Sequence, residues 1–243
     1  ALAYGGKIKY SVIKIGNETK NFKNKNIVVA TELIRKVAEA CNFKDFTVIK
    51  EFEGKEFEKT ICSHPFKNMG YKYEVPMLEG SFVTLEQGTG IVHTAPSHGP
   101  DDFNLCLKNG INATDTINDG GLYSKEIPFF SGLHIFKADD VVIEKLSEHK
   151  SLLGSGKLQH SFPHSWRSKA PLVYRATSQW FISMEKKDLR KKALEAIDNT
   201  IFYPERGRSR IRSMVETRPD WCISRQRIWG VPLPLFISKK TNQ

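Results

Sequence analysis

Over the first third of the chain, apolar and polar positions alternate in short bursts. Tyr10–Ile15 reads as a strand that runs into a Gly16-Asn17 turn pair, and Asn26–Ala30 gives a second β-branched run. At Thr31 the period lengthens. Leu33, Ile34, Val37 and Ala38 form one apolar stripe, which predicts a helix with Thr31 as its N-cap. Period two returns over Phe46–Phe52, Ser81–Leu85 and Gly90–His93, predicting three more strands. Two helices are expected next. One runs from Pro100 to Asn109, stops at Gly110, and opens on a proline followed by two carboxylates at the positive end of its dipole. The other spans Ala138 to His149, with Val141, Val142 and Leu146 on one face. The last third predicts a strand at Leu158–Phe162, a proline-punctuated stretch to Pro171, and a strand at Val173–Met184. A helix over Glu185–Asp198 would turn Leu189, Ala193, Leu194 and Ile197 inward and Lys186, Lys187, Arg190, Lys191 and Lys192 outward. A final helix is expected from Gly207 to Thr217. Short strands, glycine turns and few helices predict an α+β fold with a β-barrel-like first domain, followed by a basic helical and strand segment.

Charge changes this picture only in the last third. The 243 residues carry 37 Lys+Arg against 27 Asp+Glu, a formal charge of +10. Residues 1–156 hold 19 basic and 20 acidic side chains, while residues 157–243 hold 18 and 7. The glycine-rich Gly154-Ser155-Gly156 precedes the shift, so we divide the sequence into domains 1–156 and 157–243. Such a surplus suits an anionic partner, nucleic acid ahead of a membrane surface. Arg208, Arg210 and Arg212 on the last helix, with Lys191 on the one before, are the candidate phosphate contacts. Interleaved tryptophans (Trp166, Trp180, Trp221, Trp229) add a little to that reading. No stretch approaches 18 consecutive apolar residues, which excludes a membrane-spanning helix. Cys41, Cys62, Cys106 and Cys222 stand far apart, which fits neither a disulfide framework nor a zinc site and suits a reducing compartment. The sequence opens at Ala1 in mid-pattern without a basic-then-apolar leader, as expected of a piece of a longer polypeptide.

The densest polar constellation runs from Gly88 to Phe103: a glycine turn, a short strand ending at His93, a proline-bent loop, and a helix start holding Asp101 and Asp102. Strand end, loop and helix start together make a common site geometry, because the flanking elements fix polar groups that the loop presents. A carboxylate there can bind an ammonium group, and an imidazole can donate to or accept from a small polar group. Taken singly, each residue also has a structural reading, since an Asp in a first helical turn compensates the dipole. A Ser/His/Asp hydrolase built on Ser97, His98 and Asp101 is rejected: neighbours on one loop rarely align a nucleophile with its base, and no Gly-x-Ser-x-Gly elbow is present. Gly88-Thr89-Gly90 lacks the spacing of phosphate-loop and dinucleotide motifs.

The run from Gly88 to Phe103 resembles the editing-site motif of the isoleucyl-tRNA synthetases, in their bacterial and organellar form, and its part His93-Thr94-Ala95-Pro96-Ser97-His98-Gly99-Pro100-Asp101-Asp102 is what points to isoleucine. Ser63-His64-Pro65-Phe66, the stretch His160 to Trp166 and the stretch Tyr174 to Phe181 resemble the same family. Arg218-Pro219-Asp220-Trp221-Cys222-Ile223-Ser224-Arg225-Gln226-Arg227-Ile228-Trp229-Gly230-Val231-Pro232 is similar to the segment that re-enters the catalytic domain in class I synthetases for branched aliphatic amino acids. The resemblance implies a proofreading insertion that hydrolyses valine wrongly esterified to tRNA(Ile), with the rest of the synthetase in cis. It implies that Asp102 and His93 are the catalytic-site residues. Asp102 would bind the substrate's α-ammonium and His93 would line its side-chain pocket. Gly90, Thr94, His98 and Asp101 would complete the substrate site, His98 and Asp101 chiefly as framework.

Three departures from the family pattern qualify this. Relatives carry a Trp-Thr-Thr-Thr-Pro-Trp-Thr strand just before the point where this sequence starts, so residues 1–156 are expected to be an editing core lacking that strand. Many relatives place a zinc-binding Cys pair where this sequence has Ser165 and Ser168, so no metal is expected, serine hydroxyls being poor zinc ligands. Both ATP-binding signatures are missing. Editing would need no cofactor, and ATP and Mg2+ would belong to a catalytic domain outside this sequence. The family places the protein in the cytoplasm or an organellar matrix. Two alternatives stay open: a tRNA-binding module inactive on its own, and a valyl-type editing domain that clears threonine.

Overall fold

A computed structural model describes residues 1–16, 22, 25–157, 159, 161–225 and 230–241. Asn17 of the expected turn pair, Leu158 and His160 of the expected strand, and Gln226 to Trp229 of the last motif lie outside the described residues. The chain packs as two compact units, 1–176 and 177–243. Residues 157–176, grouped by charge with the basic end, therefore pack with the first unit. Charge is a property of the surface and carries little information about which segments share contacts.

Two small sheets organise the first unit. One is built from β1 (Leu2–Tyr4) and from three strands introduced below; the other centres on β2 (Lys9–Ile15). β2 pairs antiparallel with β3 (Asn26–Ala30), Tyr10 standing opposite Ala30. After β3 the chain makes a 3-10 turn at Thr31–Leu33 and then α1 (Ile34–Ala40). Leu33, Ile34, Val37 and Ala38 are buried, as their spacing predicts. Thr31 is not the N-cap: its hydroxyl shares a 2.9 Å hydrogen bond with the buried Ser11, and Leu33 precedes α1 without a side-chain cap. A buried hydroxyl needs a partner, and Thr31 gives Ser11 one that solvent cannot.

β4 (Phe46–Glu53) closes the second sheet on the other side of β2. β5 (Ile61–Ser63), β6 (Glu74–Glu79) and β7 (Ile91–His93) complete the first, in the order β5-β6-β1-β7. β1 runs parallel to β6 and antiparallel to β7, which sets Leu2 opposite Met77 on one side and His93 on the other. The fold is thus mixed α+β. The two sheets are open, and among the described residues no closed barrel forms, so the barrel-like expectation holds only as far as the sheet content. Ser81–Leu85 is not a strand. Val83 is buried in a turn-rich loop and Leu85 packs partly against the core, so the alternation reflected buried loop residues rather than a ladder.

Tyr10 joins the two sheets. Its ring is fully buried against Phe57, with centroids 4.9 Å apart, and its hydroxyl accepts from Gly5 N–H at 3.0 Å and donates to Gly90 O at 2.7 Å. Ala30 N–H bonds Thr89 O at 2.8 Å. The chain entering β7 is therefore bolted to the second sheet just before His93. Downstream come α2 (Pro100–Lys108) and α3 (Ala138–Glu148), close to their expected ranges, with Gly110 left-handed at φ +74° just past α2. An aromatic cluster of Phe66, Tyr71, Phe129, Phe130 and His149 holds the 128–149 segment down, and Tyr71 OH donates to Pro128 O at 2.9 Å.

The expected strand over Val173–Met184 is reduced to β8 (Phe181–Ile182). Residues 173–176 are held instead by loop contacts: Ala176 N–H bonds Ser97 O at 3.0 Å. In the second unit, Lys187 and Asp188 both have φ near +56°, which breaks the expected helix, and α4 begins only at Leu189, running to Asp198. Leu189 is exposed rather than inward, while Arg190, expected outward, is half-buried. Its guanidinium donates from Nη1 to Val215 O at 2.6 Å and Glu216 O at 3.0 Å. Those carbonyls end α5 (Arg206–Glu216), whose last turn leaves acceptors a cation can satisfy. β9 (Trp221–Cys222) pairs antiparallel with β8.

Candidate functional site

Sequence dictates the site's geometry at three points. β7 ends at His93, a loop through Pro96 and Gly99 turns the chain, and Pro100 starts α2 at its first position. Asp102 then lies in the first helical turn, where the dipole favours a negative charge. Gly99 has no Cβ, and one placed there would collide with Asp102 Oδ2, so the carboxylate folds back over the glycine. It takes a backbone hydrogen bond from Ala95.

Asp102 is half-buried, and no Lys or Arg forms an ion pair with it among the described residues. Burial raises its pKa above the ordinary aspartate value, and the neighbouring His93 only partly offsets this. His93 shifts the other way. Burial lowers its pKa first, and the charge of Asp102 works against this. The pair thus combines a carboxylate in want of a cation with an imidazole biased toward neutrality, and His93 keeps an exposed face.

The other expected substrate residues have structural engagements. Thr94 is buried, its hydroxyl donating to Val92 O at 3.2 Å. Gly90 is buried at φ +77° with its carbonyl held by Tyr10. His98 is clamped at both nitrogens. Nδ1 lies 2.9 Å from Tyr174 O, which can only accept, so Nδ1 carries the proton; Nε2 then accepts from Thr116 Oγ1 at 2.7 Å in the neutral ring. Asp101 is exposed and lines a separate groove with Glu79, Ser81 and Lys108. Ser97 is buried, donating to Thr114 O at 2.6 Å and accepting from Thr114 N–H at 3.1 Å, which suits a staple rather than a nucleophile.

His64 stands in a family-like segment, Ser63-His64-Pro65-Phe66, that the sequence reading did not assign to the site. It follows β5, accepts at Nδ1 from Phe66 N–H at 3.0 Å, and stacks flat on Tyr71 with ring centroids 4.5 Å apart. Burial is the larger cause of its lowered pKa, and the nearby His93 lowers it further. Apart from that resemblance, only a His-Pro pair after a short apolar run marks it in the sequence.

In the second unit, α5 separates the three candidate arginines. Arg208 and Arg212, one turn apart, face α4. Arg212 pairs with Asp198 at 3.0 Å and Glu216 at 3.4 Å, and Arg208 Nη2 donates to Thr200 O at 3.1 Å. Arg210 and Lys191 are exposed. The single exposed stripe expected from the three arginines is therefore not present, because residues two apart on a helix point to opposite sides. Ser165 and Ser168 form a hydrogen-bonded turn, Ser168 N–H to Ser165 Oγ at 3.3 Å, and no group of three or more His, Cys, Asp or Glu that could hold a metal ion occurs among the described residues. No helix is long and apolar enough to cross a membrane among those residues.

The family model for tRNA synthetases class I (I, L, M and V) matches residues 8–243. The isoleucine–tRNA ligase of Pelagibacter ubique (strain HTCC1062) is 62% identical over 243 residues, covering 100% of this chain and 27% of the relative. That of Gluconobacter oxydans (strain 621H) is 43% identical over 258 residues, covering 100% and 27%. That of Shewanella pealeana (strain ATCC 700345 / ANG-SQ1) is 43% identical over 243 residues, covering 100% and 25%. The chain thus spans about a quarter of the length of the curated relatives it matches. Among solved structures, the crystal structure of GlLeuRS-CP1 matches with a TM-score of 0.49 at 15% identity, over 65% of this chain and 78% of that one.

Proposed function

The chain belongs to the class I tRNA synthetases of the I, L, M and V group, and from that premise we propose that it is the editing segment of an isoleucine–tRNA ligase, hydrolysing valine wrongly esterified to tRNA(Ile). The need for such a step is physical. A pocket shaped for isoleucine excludes valine only by what one missing methylene is worth, roughly 1–3 kcal/mol, this pair of amino acids being the familiar illustration of that limit. A second site must remove the error.

One observation carries the reading: Asp102, a half-buried carboxylate at the start of α2, has no cationic side-chain partner among the described residues. The α-ammonium of an aminoacyl ester is the cation it lacks, and the contact would be charge-assisted. With the ammonium held, His93 borders the amino-acid side chain, and a water positioned beside the ester carbonyl completes the hydrolysis. Orientation supplies much of the rate, no protein nucleophile being required. The reaction uses no cofactor, and we assign ATP and Mg2+ to the parent enzyme's catalytic domain.

The exposed Arg210 and Lys191 favour a second role for the 177–243 unit, gripping tRNA without catalysis. Deacylation of Val-tRNA(Ile) by the full-length synthetase carrying this segment tests the main reading. Asp102→Ala is expected to slow it by roughly tenfold to a hundredfold, the range of a lost hydrogen bond to a charged group. Unchanged deacylation would remove Asp102 from the site. Faster hydrolysis of a threonyl than a valyl ester would favour a valyl-type editing domain instead.

A further inference from the structure

The first unit is poor in arginine. It holds three, Arg35, Arg167 and Arg175, and only Arg175 is tied to the loop that carries the candidate site. Arg35 sits on α1, and the Arg167 guanidinium lies over the Trp166 ring, 4.6 Å from its centroid. Both neighbours of Arg175 are bonded to the site loop: Tyr174 O accepts from His98 Nδ1–H at 2.9 Å and Ala176 N–H donates to Ser97 O at 3.0 Å. In an extended chain those two groups point the same way, which fixes the backbone on either side of Arg175.

The guanidinium itself is under-used. Nη2 pairs with Asp119 Oδ1 at 2.7 Å, and Nε is buried without a hydrogen-bond partner. Asp119 is 98% exposed, so its carboxylate surrenders little on leaving and the pair adds little stability. Nε is too buried to reach a ligand, as is that of Arg208, but the Nη end, held only by an exposed carboxylate, is suited to a tetrahedral oxyanion, which arginine grips by two parallel hydrogen bonds. An ester carried on the 3′ end of a nucleic acid brings such a group with it.

We propose that Arg175 is a phosphate-binding residue of this unit, exchanging Asp119 for a backbone phosphate at the end of the nucleic acid that carries the ester. The proposal rests on the editing reading above and adds to it the contact that places the ester over Asp102. His98 then has a second task, since its clamp on Tyr174 keeps the arginine in register with the site loop.

The test compares two substrates in the full-length synthetase carrying this segment: Val-tRNA(Ile), and the phosphate-free ester 3′-O-valyl-adenosine. Arg175→Ala is expected to raise KM for Val-tRNA roughly tenfold with kcat unchanged, and to leave the phosphate-free ester unaffected. Its log KM should depend on log salt with a slope smaller by about one, the signature of one lost phosphate contact. Arg175→Lys should restore part of the loss, and Asp119→Asn should lower KM by removing the competing carboxylate. An equal loss on both substrates would make Arg175 a packing residue and overturn the proposal, as would no loss on either, or a raised KM in Asp119→Asn. Failure of the editing reading shows differently, as hydrolysis of both substrates untouched by Asp102→Ala. Arg175 is then read from uncharged-tRNA affinity, where an unchanged salt slope in Arg175→Ala overturns it.

Discussion

Gly88 and Gly90 flank one threonine, share nearly the same left-handed backbone, and should respond very differently to an added methyl group. Their φ values are +76° and +77°. A Cβ on Gly88 meets nothing within 4 Å, whereas one on Gly90 would lie 2.5 Å from Ala30 Cβ and 3.5 Å from Tyr10 Cε1. Gly88→Ala therefore carries only the left-handed penalty, roughly 1–2 kcal/mol. Gly90→Ala carries that plus overpacking of roughly 1–3 kcal/mol, for about 2–5 kcal/mol in all. Ala30 is fully buried and Tyr10 is fixed by two hydrogen bonds, so neither can move aside cheaply. Removing the clashing methyl with Ala30→Gly should relieve the steric part alone, so a double-mutant cycle should show coupling of about 1–3 kcal/mol between positions 30 and 90. Urea unfolding followed by far-UV circular dichroism gives the stabilities, and amide exchange over residues 88–93 gives the local effect. Equal losses for the two alanine variants would refute the steric argument. A Gly90→Ala protein of full stability that no longer hydrolysed Val-tRNA would return Gly90 to the substrate.

Other outcomes follow from the same geometry. Burial raises the Asp102 pKa, so the folded chain holds that proton more tightly than the unfolded chain. Its contribution to stability is full below the unfolded value and is lost as pH rises through the folded value, so Asp102→Asn should be no less stable than the parent at pH 7 in a thermal melt. Ammonium binding needs the ionised form, and the acid limb of kcat/KM for Val-tRNA hydrolysis should lie above the ordinary aspartate value of about 3.9; a limb at or below that value contradicts the assignment. Ser97→Ala removes both bonds to Thr114 and should cost roughly 1–3 kcal/mol in urea unfolding while hydrolysis persists; loss of hydrolysis in a stable protein would revive the serine nucleophile. In tRNA binding by fluorescence anisotropy, Arg210→Ala should weaken affinity and reduce its salt slope, while Arg212→Ala should act chiefly on unfolding of the second unit; the reverse pattern would contradict the placement of both.

How much of this was legible in sequence depends on where each signal originates. α2 was readable nearly to the residue because its boundaries are written in local chemistry: Pro100 can start a helix, and Gly110 can take the left-handed turn past its end. The apolar stripe of α1 was equally plain. Period two misled at Ser81–Leu85 and at Val173–Trp180, where the apolar residues exist but no neighbouring strand does, since pairing is a long-range property that alternation cannot encode. The site divided in the same way. The pattern offered Asp101, Asp102 and His93 as carboxylates and an imidazole joined by a turn-rich loop, and only the family resemblance singled out Asp102. The engagements of Gly90, Thr94 and His98 depend on Tyr10, Val92, Thr116 and Tyr174, and the partners from other segments are invisible from the motif itself.

The basic surplus at the end of the chain shows why net charge and usable charge differ. Ion pairs leave the sum of formal charges unchanged, but they decide which side chains remain to meet a polyanion. Arg190 and Arg212 hold α4 and α5 together through the last carbonyls of α5 and Asp198, Arg190 also pairs with the nearby Glu185, and Arg208 donates to Thr200 O. Recruiting any of them to phosphate would break an internal contact, so their net contribution to nucleic-acid binding is reduced by what that contact was worth. Lys191 and Arg210 are exposed and carry no such offset. The arginines that stand out in the sequence are therefore mostly the framework of the second unit, and the charge a tRNA would feel is carried by side chains the helix turns outward. The same reasoning runs in reverse in the nearly neutral first unit. There Arg175, whose ion-pair partner Asp119 is exposed, has little to lose by exchange.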